Sequence, residues 1–275
     1  MATVPRLPSE PSPGVTTWPA EGGSRGRLAL LHGVTSSRAT WWKVGPALAA
    51  AGWDVTALDL AGHGDGPRLP AEQGDLGTLV DAVVPLLPAG LTVLVGHSLG
   101  AVVALSVAGR RPDVARGLVL EEPPGTAGGD ASQVADSIEA GALAVRADRQ
   151  AFWGYVRQAN PGWSDADVEG SVAGLEAADT ATITRALRTG LGWDLAALLA
   201  AVQLPVLVVA ARLVEGAPAA GGGSALVGPD RQAVRRLVPE ARFLELDGGH
   251  SLHRAQPDRM VEIISGFGAS LLSSN

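Results

Sequence analysis

Leu91-Thr92-Val93-Leu94-Val95-Gly96-His97-Ser98-Leu99-Gly100 is the stretch on which the fold turns. Its first five residues form an almost unbroken apolar run of strand length. Residues 101–108 follow at once with helical spacing. A strand apolar toward both faces belongs in a sheet covered on both sides, which is the habit of parallel strands. Between strand and helix lies Gly-x-Ser-x-Gly. By itself the pentapeptide also suits an ordinary glycine-containing turn. In a strand–turn–helix context it meets a specific need: the serine takes unfavourable backbone angles, and the flanking glycines relieve the crowding. The hydroxyl is then lifted above the sheet beside a helix N-terminus, so Ser98 is the candidate nucleophile.

Working outward, further strand-like runs lie at residues 27–31, 53–58, 118–120, 206–209 and 243–246. Helical spacing fills most of the gaps, at 41–50, 76–87 and 231–237. This alternation predicts an α/β protein with a mostly parallel central sheet and helices on both faces. Ligands in such sheets bind beyond the carboxyl ends of the strands, so chemistry is to be sought just after each one. The alternation breaks over residues 125–202, where the pattern is helical only. That segment is expected to be an inserted cap, with residues 15–124 and 203–275 forming the core. It holds Trp153, Tyr155, Trp163 and Trp193, which either line a pocket or pack the cap on the core. Residues 1–14, rich in Pro and Ser, are expected to be flexible, as is the Gly- and Ala-rich stretch 215–228.

Composition narrows the function classes. The 275 residues are 46% hydrophobic, enough for one large domain with a buried core. A net charge of −7 argues against nucleic acid or an anionic membrane surface as the main partner. The chain has no cysteine, which excludes disulfides, thiolate metal sites and a cysteine nucleophile together. The N-terminal residues do not read as a signal peptide, and no run of about 18 apolar residues occurs. A cytoplasmic protein without a membrane partner is the expectation. No His, Asp or Glu cluster has metal-ligand spacing, and the Gly-rich runs lack the lysine of a phosphate-binding loop, so no cofactor is expected.

Two more stretches bear on the chemistry. Leu30-Leu31-His32-Gly33-Val34 ends an earlier strand. A serine nucleophile needs two N–H groups aimed at a developing oxyanion. One is expected from Leu99, the residue after the nucleophile, and the other from Val34. His32 is expected to orient its loop by hydrogen bonding. Asp247-Gly248-Gly249-His250 follows the last strand, where glycines can carry an imidazole toward Ser98. His250 is therefore the expected general base, preferred to His253 because Pro257 places the latter close to a helix start.

The ordered set Leu31-His32-Gly33, Asp59-Leu60-Ala61-Gly62-His63-Gly64, Gly96-His97-Ser98-Leu99-Gly100 and Gly249-His250 resembles the α/β-hydrolase superfamily. It is particularly similar to small bacterial esterase-like members with a helical cap. The resemblance runs from about Val15 to the C-terminus. It implies a nucleophile at Ser98, a base at His250, an oxyanion hole at Val34 and Leu99, and a structural loop at Asp59 and His63. Relatives that open epoxides or displace halide carry an aspartate at the nucleophile position, so Ser98 argues against both activities.

The acid departs from the commonest family pattern. That pattern places an Asp after the strand matching residues 205–209, where this chain has no carboxylate before Glu215. A minority of the family carries the acid after the strand that follows the nucleophile helix, and there this chain has Glu121 and Glu122. Glu122, at the end of a rigid strand, is the expected triad acid. Glu215 is the alternative, and Glu121 is expected to face the other way. The expected function is hydrolysis of a small-molecule carboxylic ester or related acyl bond. A thioesterase, lactonase or carbon–carbon hydrolase with the same triad is the alternative, and a non-catalytic binding protein on the same fold is a third reading.

Overall fold

The computed structural model describes residues 13–69, 74–125, 131–189, 191–213, 223–239 and 242–273. Seven strands are described: β1 (Val15–Trp18), β2 (Arg27–Leu31), β3 (Asp54–Leu58), β4 (Leu91–His97), β5 (Ala115–Glu121), β6 (Val206–Ala211) and β7 (Phe243–Leu246). They form one sheet in the order β1-β3-β2-β4-β5-β6-β7, parallel throughout except for the antiparallel edge strand β1.

Side-chain alternation explains why the strands read as continuous apolar runs. Leu28, Leu30, Val93, Val95, Val119, Leu207 and Val209 point into one cluster, with Trp41 and Trp53. Ala29, Leu31, Leu94, Leu118, Leu120 and Val208 point into the other. The first cluster is covered by α1 (Val44–Ala50) and α11 (Pro257–Ser273). The second is covered by α2 (Leu76–Val83), α3 (Leu99–Arg110) and α9 (Gly228–Leu237). Both faces are covered by apolar side chains, and the buried titratable side chains of the central strands, His97 on β4 and Glu121 on β5, stand at their carboxyl ends.

Between β5 and β6 come α4 (Ala131–Ala147), α5 (Arg149–Ala159), α6 (Asp165–Ala177), α7 (Thr180–Thr189) and α8 (Leu195–Ala201). α4 to α7 pack on one another, whereas α8 packs on α3 and α9. α6 opens with a capping box between Ser164 and Asp167. The same Asp167 carboxylate accepts Trp42 Nε1–H at 3.0 Å and Lys43 Nζ at 2.5 Å, which ties α6 to the sheet side. No described helix is long and apolar enough to cross a membrane. Residues 1–12 and 214–222, which hold most of both stretches expected to be flexible, lie outside the described residues.

Candidate active site

Three described non-glycine residues have positive φ: Thr35 (55°), Ser98 (50°) and Glu122 (50°). Each lies just beyond the carboxyl end of a strand, after β2, β4 and β5. Such angles cost on the order of 1–3 kcal/mol each and cluster where function requires them. Ser98 joins β4 to α3 at φ 50°, ψ −118°. Its N–H bonds the Glu121 carbonyl at 2.9 Å and its carbonyl accepts Ala101 N–H at 2.9 Å, so the turn is held from both sides. The flanking glycines are needed for close approach. A Cβ on Gly96 would stand 2.3 Å from the Gly100 carbonyl oxygen, and one on Gly100 would stand 2.5 Å from that of Leu31.

Ser98, Leu99, Val34 and His250 line one cavity of about 430 Å³. The N–H of Leu99 lies in the first turn of α3, among the donors a helix cannot bond internally. Val34 comes from the loop after β2. His32 shapes that loop: its Nε2 accepts Leu60 N–H at 3.0 Å, so its Nδ1 carries the proton and donates to the Gly33 carbonyl at 2.7 Å. Asp59 accepts the N–H groups of Arg38 (2.6 Å) and Asp65 (2.9 Å) and also the Arg38 guanidinium. His63 bonds the Ala61 carbonyl and sets its ring edge-on to His32. These three polar residues brace the loops beside the cavity, and none lines it.

The positive φ of Gly248 (129°) and Gly249 (71°) turns the chain after β7 back over the strand ends. His250 Nδ1–H donates to Glu122 Oε2 at 3.2 Å, leaving Nε2 as the free ring nitrogen. Glu122 is fully buried, and its carboxylate is saturated with further donors. Oε1 accepts Ala211 N–H (2.6 Å) and the Ser224 hydroxyl (2.8 Å); Oε2 also accepts Ala225 N–H (2.6 Å). The loop after β6 thus gives donors to a carboxylate that comes from β5. Glu121 faces the other way. It takes His253 N–H at 2.9 Å and His253 Nδ1–H at 2.8 Å, away from the cavity. Glu215 lies outside the described residues.

Sequence reading did not find the donors on Ser224, Ala225 and Ala211, because backbone amides and a loop serine carry no pattern. It left the aromatics of residues 125–202 open between lining a pocket and packing. Trp193 lines the cavity, with its Nε1–H given to the Pro124 carbonyl. Tyr155 is exposed, and Trp163 lies beneath the Arg254 guanidinium at 4.6 Å. The remaining walls include Leu187, Leu191, Val134 and Ala225, so Ser98 and His250 supply the uncommitted polar side-chain groups among the described lining residues. His97, Glu121 and His253 gather behind the cavity, but their donors and acceptors are largely spent on neighbours, which makes a hydrogen-bond network of what could otherwise be a ligand set.

Burial holds several imidazoles neutral, His32 down to about 4 and His63 down to about 3. Unfolded, these groups take up protons near pH 6.5. The unfolded chain therefore binds more protons between about pH 6.5 and 4, and the native state loses stability as pH falls through that window. Above pH 6.5 the contribution is fully present. His32 alone accounts for on the order of 3 kcal/mol. Burial pushes Asp59 and Glu121 up, the opposite sense, so two raised carboxylates stand against four lowered imidazoles, those of His32, His63, His97 and His253. The urea midpoint is expected to fall steadily from pH 7 to pH 4.5; a flat or rising midpoint contradicts this balance.

Comparison with known proteins bears on the fold. A family model described as alpha/beta hydrolase fold matches residues 26–189. Lipase LipV of Mycobacterium tuberculosis is 28% identical over 254 residues, covering 86% of this chain and 91% of the lipase. A pimeloyl-[acyl-carrier protein] methyl ester esterase of Neisseria meningitidis is 39% identical over 94 residues, 34% of this chain and only 29% of the esterase's length. Among solved structures, MenH from S. aureus superposes with a TM-score of 0.71 at 19% identity, covering 94% of this chain and 98% of that one.

Proposed function

The chain belongs to the alpha/beta hydrolase fold family, and on that premise we propose that it is a serine hydrolase cleaving a carboxylic ester of a small, neutral, largely apolar molecule. One observation carries the reading. A serine held at positive φ between strand and helix lines the same cavity as a histidine whose far nitrogen is bonded to a buried carboxylate.

In this mechanism His250 Nε2 takes the proton of Ser98 as the hydroxyl oxygen attacks the ester carbonyl. The N–H groups of Val34 and Leu99 hold the oxyanion, an interaction worth several kcal/mol in such sites. Glu122 fixes the His250 tautomer and stabilises the imidazolium. The proton then passes from His250 to the leaving alkoxide, and the alcohol departs. Water, deprotonated by His250, attacks the acyl-enzyme; as the acyl–oxygen bond breaks, His250 returns that proton to Ser98 and the acid is released. Residues 125–202 act as the cap. Trp193, Leu187 and Leu191 form the apolar wall over Ser98, and α8 returns the chain to the core.

The size and lining of the cavity support the substrate class. About 430 Å³ is near the lower end for small-molecule sites. A carboxylate on the substrate would find no cation among the described lining residues, and burying it unpaired costs several kcal/mol. Among p-nitrophenyl esters, kcat/KM for the neutral hexanoate is expected to exceed that for the glutarate monoester by about 100-fold or more. Equal rates would overturn the substrate assignment. Thioesters and lactones of the same acyl group run in parallel test the alternative leaving groups. Absence of hydrolysis in every series from folded protein would favour a binding role.

A further inference from the structure

Beneath the Ser98 turn lies a set of buried groups that the acyl-transfer steps do not use. His97 is the residue before the nucleophile and is 6% exposed. Its Nε2 lies 2.8 Å from the main-chain carbonyl of His250. A carbonyl can only accept, so His97 Nε2 carries the proton and donates it. The other nitrogen, Nδ1, is buried and has no hydrogen-bonding partner among the described residues. An apolar side chain of similar length would avoid that orphaned acceptor, which costs on the order of 1–3 kcal/mol. An imidazole kept there in spite of the cost points to use of its one N–H.

The ring is held from below. The His97 and His253 rings stand 4.8 Å apart, centre to centre, and His97 and His250 are equally spaced. His253 is itself fixed in one tautomer. Burial keeps its pKa well below the ordinary value, so it carries one ring proton, and Glu121 claims that proton at Nδ1. Nε2 then accepts from the Thr40 hydroxyl at 2.6 Å, and Thr40 Oγ1 accepts Arg254 Nε–H at 2.9 Å. Arg254 Nη2 reaches Ser36 Oγ, in the same loop as Val34, at 3.3 Å. The chain of donors from Arg254 to Glu121 is satisfied at each link, the condition under which a buried polar network rigidifies its surroundings. Adjacent glutamates at the end of β5 thus each hold a histidine, Glu122 on the cavity side and Glu121 on the side beneath.

We propose that His97 is a positioning residue: its Nε2–H clamps the main chain of the base-bearing loop to the nucleophile turn, and the Glu121–His253–Thr40–Arg254 chain keeps its ring in place. This rests on the reading of Ser98, His250 and Glu122 as the reacting set. The loop after β7 is tied at its start by Asp247, whose main-chain carbonyl accepts Gln256 Nε2–H and whose carboxylate accepts Arg212 Nε–H. The His250 ring rests on Glu122. Between these lie two consecutive positive-φ glycines, and His97 holds the main chain of His250 just past them. A base displaced by about 1 Å can cost about 100-fold in rate.

The test compares His97→Met, which fills the space without a donor, with His97→Gln, whose amide N–H2 falls near the position of Nε2. Two readouts are taken: the second-order rate of fluorophosphonate labelling, and hydrogen–deuterium exchange of residues 247–251. His97→Met is expected to slow labelling by about 10- to 100-fold and to speed exchange in that loop, while His97→Gln returns both to within about 3-fold of the parent. Met and Gln variants that match the parent in both readouts overturn the proposal, as does equal loss in both variants. Labelling that persists in Ser98→Ala overturns the nucleophile assignment instead, and the exchange of the loop still decides the clamp.

Discussion

Ser98→Gly is expected to melt about 2–4 °C above the parent chain and to hydrolyse no ester. The two effects have one origin. At φ 50°, ψ −118°, Ser98 holds a conformation that glycine adopts freely and a Cβ-bearing residue does not. Relief of that strain is worth on the order of 1–3 kcal/mol, partly offset by the greater freedom of glycine in the unfolded chain. A net gain near 1 kcal/mol corresponds to about 2–4 °C in a domain of this size. The same change removes the attacking oxygen, and kcat is expected to fall by about 10⁴- to 10⁶-fold. Differential scanning calorimetry and p-nitrophenyl butyrate turnover on the same preparation check both halves. A variant that loses activity and stability together would instead indicate a general structural role for Ser98.

Glu122→Gln is the second large effect. The carboxylate accepts from four donors, two on each oxygen. A glutamine offers one oxygen and one NH2, so in either orientation the NH2 faces a backbone N–H that stood 2.6 Å from the replaced oxygen. The expected destabilisation is about 1–3 kcal/mol. With the NH2 toward His250, Nδ1 must accept rather than donate. Nε2 then carries the proton and is useless as a base. With the oxygen toward His250 the tautomer survives, but the imidazolium loses its counter-charge. Either way kcat is expected to drop by about 10³- to 10⁴-fold with little change in KM, as loss of the acid does in serine triads. Steady-state kinetics at pH 8 reads this directly. A drop of less than about tenfold would move the acid elsewhere, with Glu215 as the first residue to test.

What the sequence made legible follows from how local each signal is. β2, β4, β6 and β7 announce themselves because apolar side chains on both faces need no distant information to be recognised. β1 does not, since Thr16 and Thr17 interrupt a four-residue edge strand; buried Thr16 is satisfied by Arg38 Nε–H, a contact 22 positions away. β5 begins three residues before its apolar run, because Arg116 can point outward and Gly117 lies against Leu271 and Phe267 of α11. A glycine-flanked turn or a strand end singles out Ser98, His250, Val34 and Leu99, which line one cavity, and Glu122, which stands behind His250. Groups that hold them in place stayed hidden. Ser224, Ala225 and Ala211 reach Glu122 from about 90 to 100 positions along the chain. His97 serves through a main-chain carbonyl 153 positions on. Likewise, which tryptophan between β5 and β6 meets the cavity depends on how α4 to α7 dock, and helical periodicity does not encode that.

The reacting set stands or falls on where a fluorophosphonate attaches. Tryptic digestion releases residues 69–110 as one peptide containing two serines, Ser98 and Ser106. Tandem mass spectrometry of labelled, folded protein is expected to find one adduct per chain, on Ser98, with its formation slowed at least about 10³-fold in His250→Ala. An adduct at any other residue, or a labelling rate indifferent to loss of the imidazole, would contradict the account.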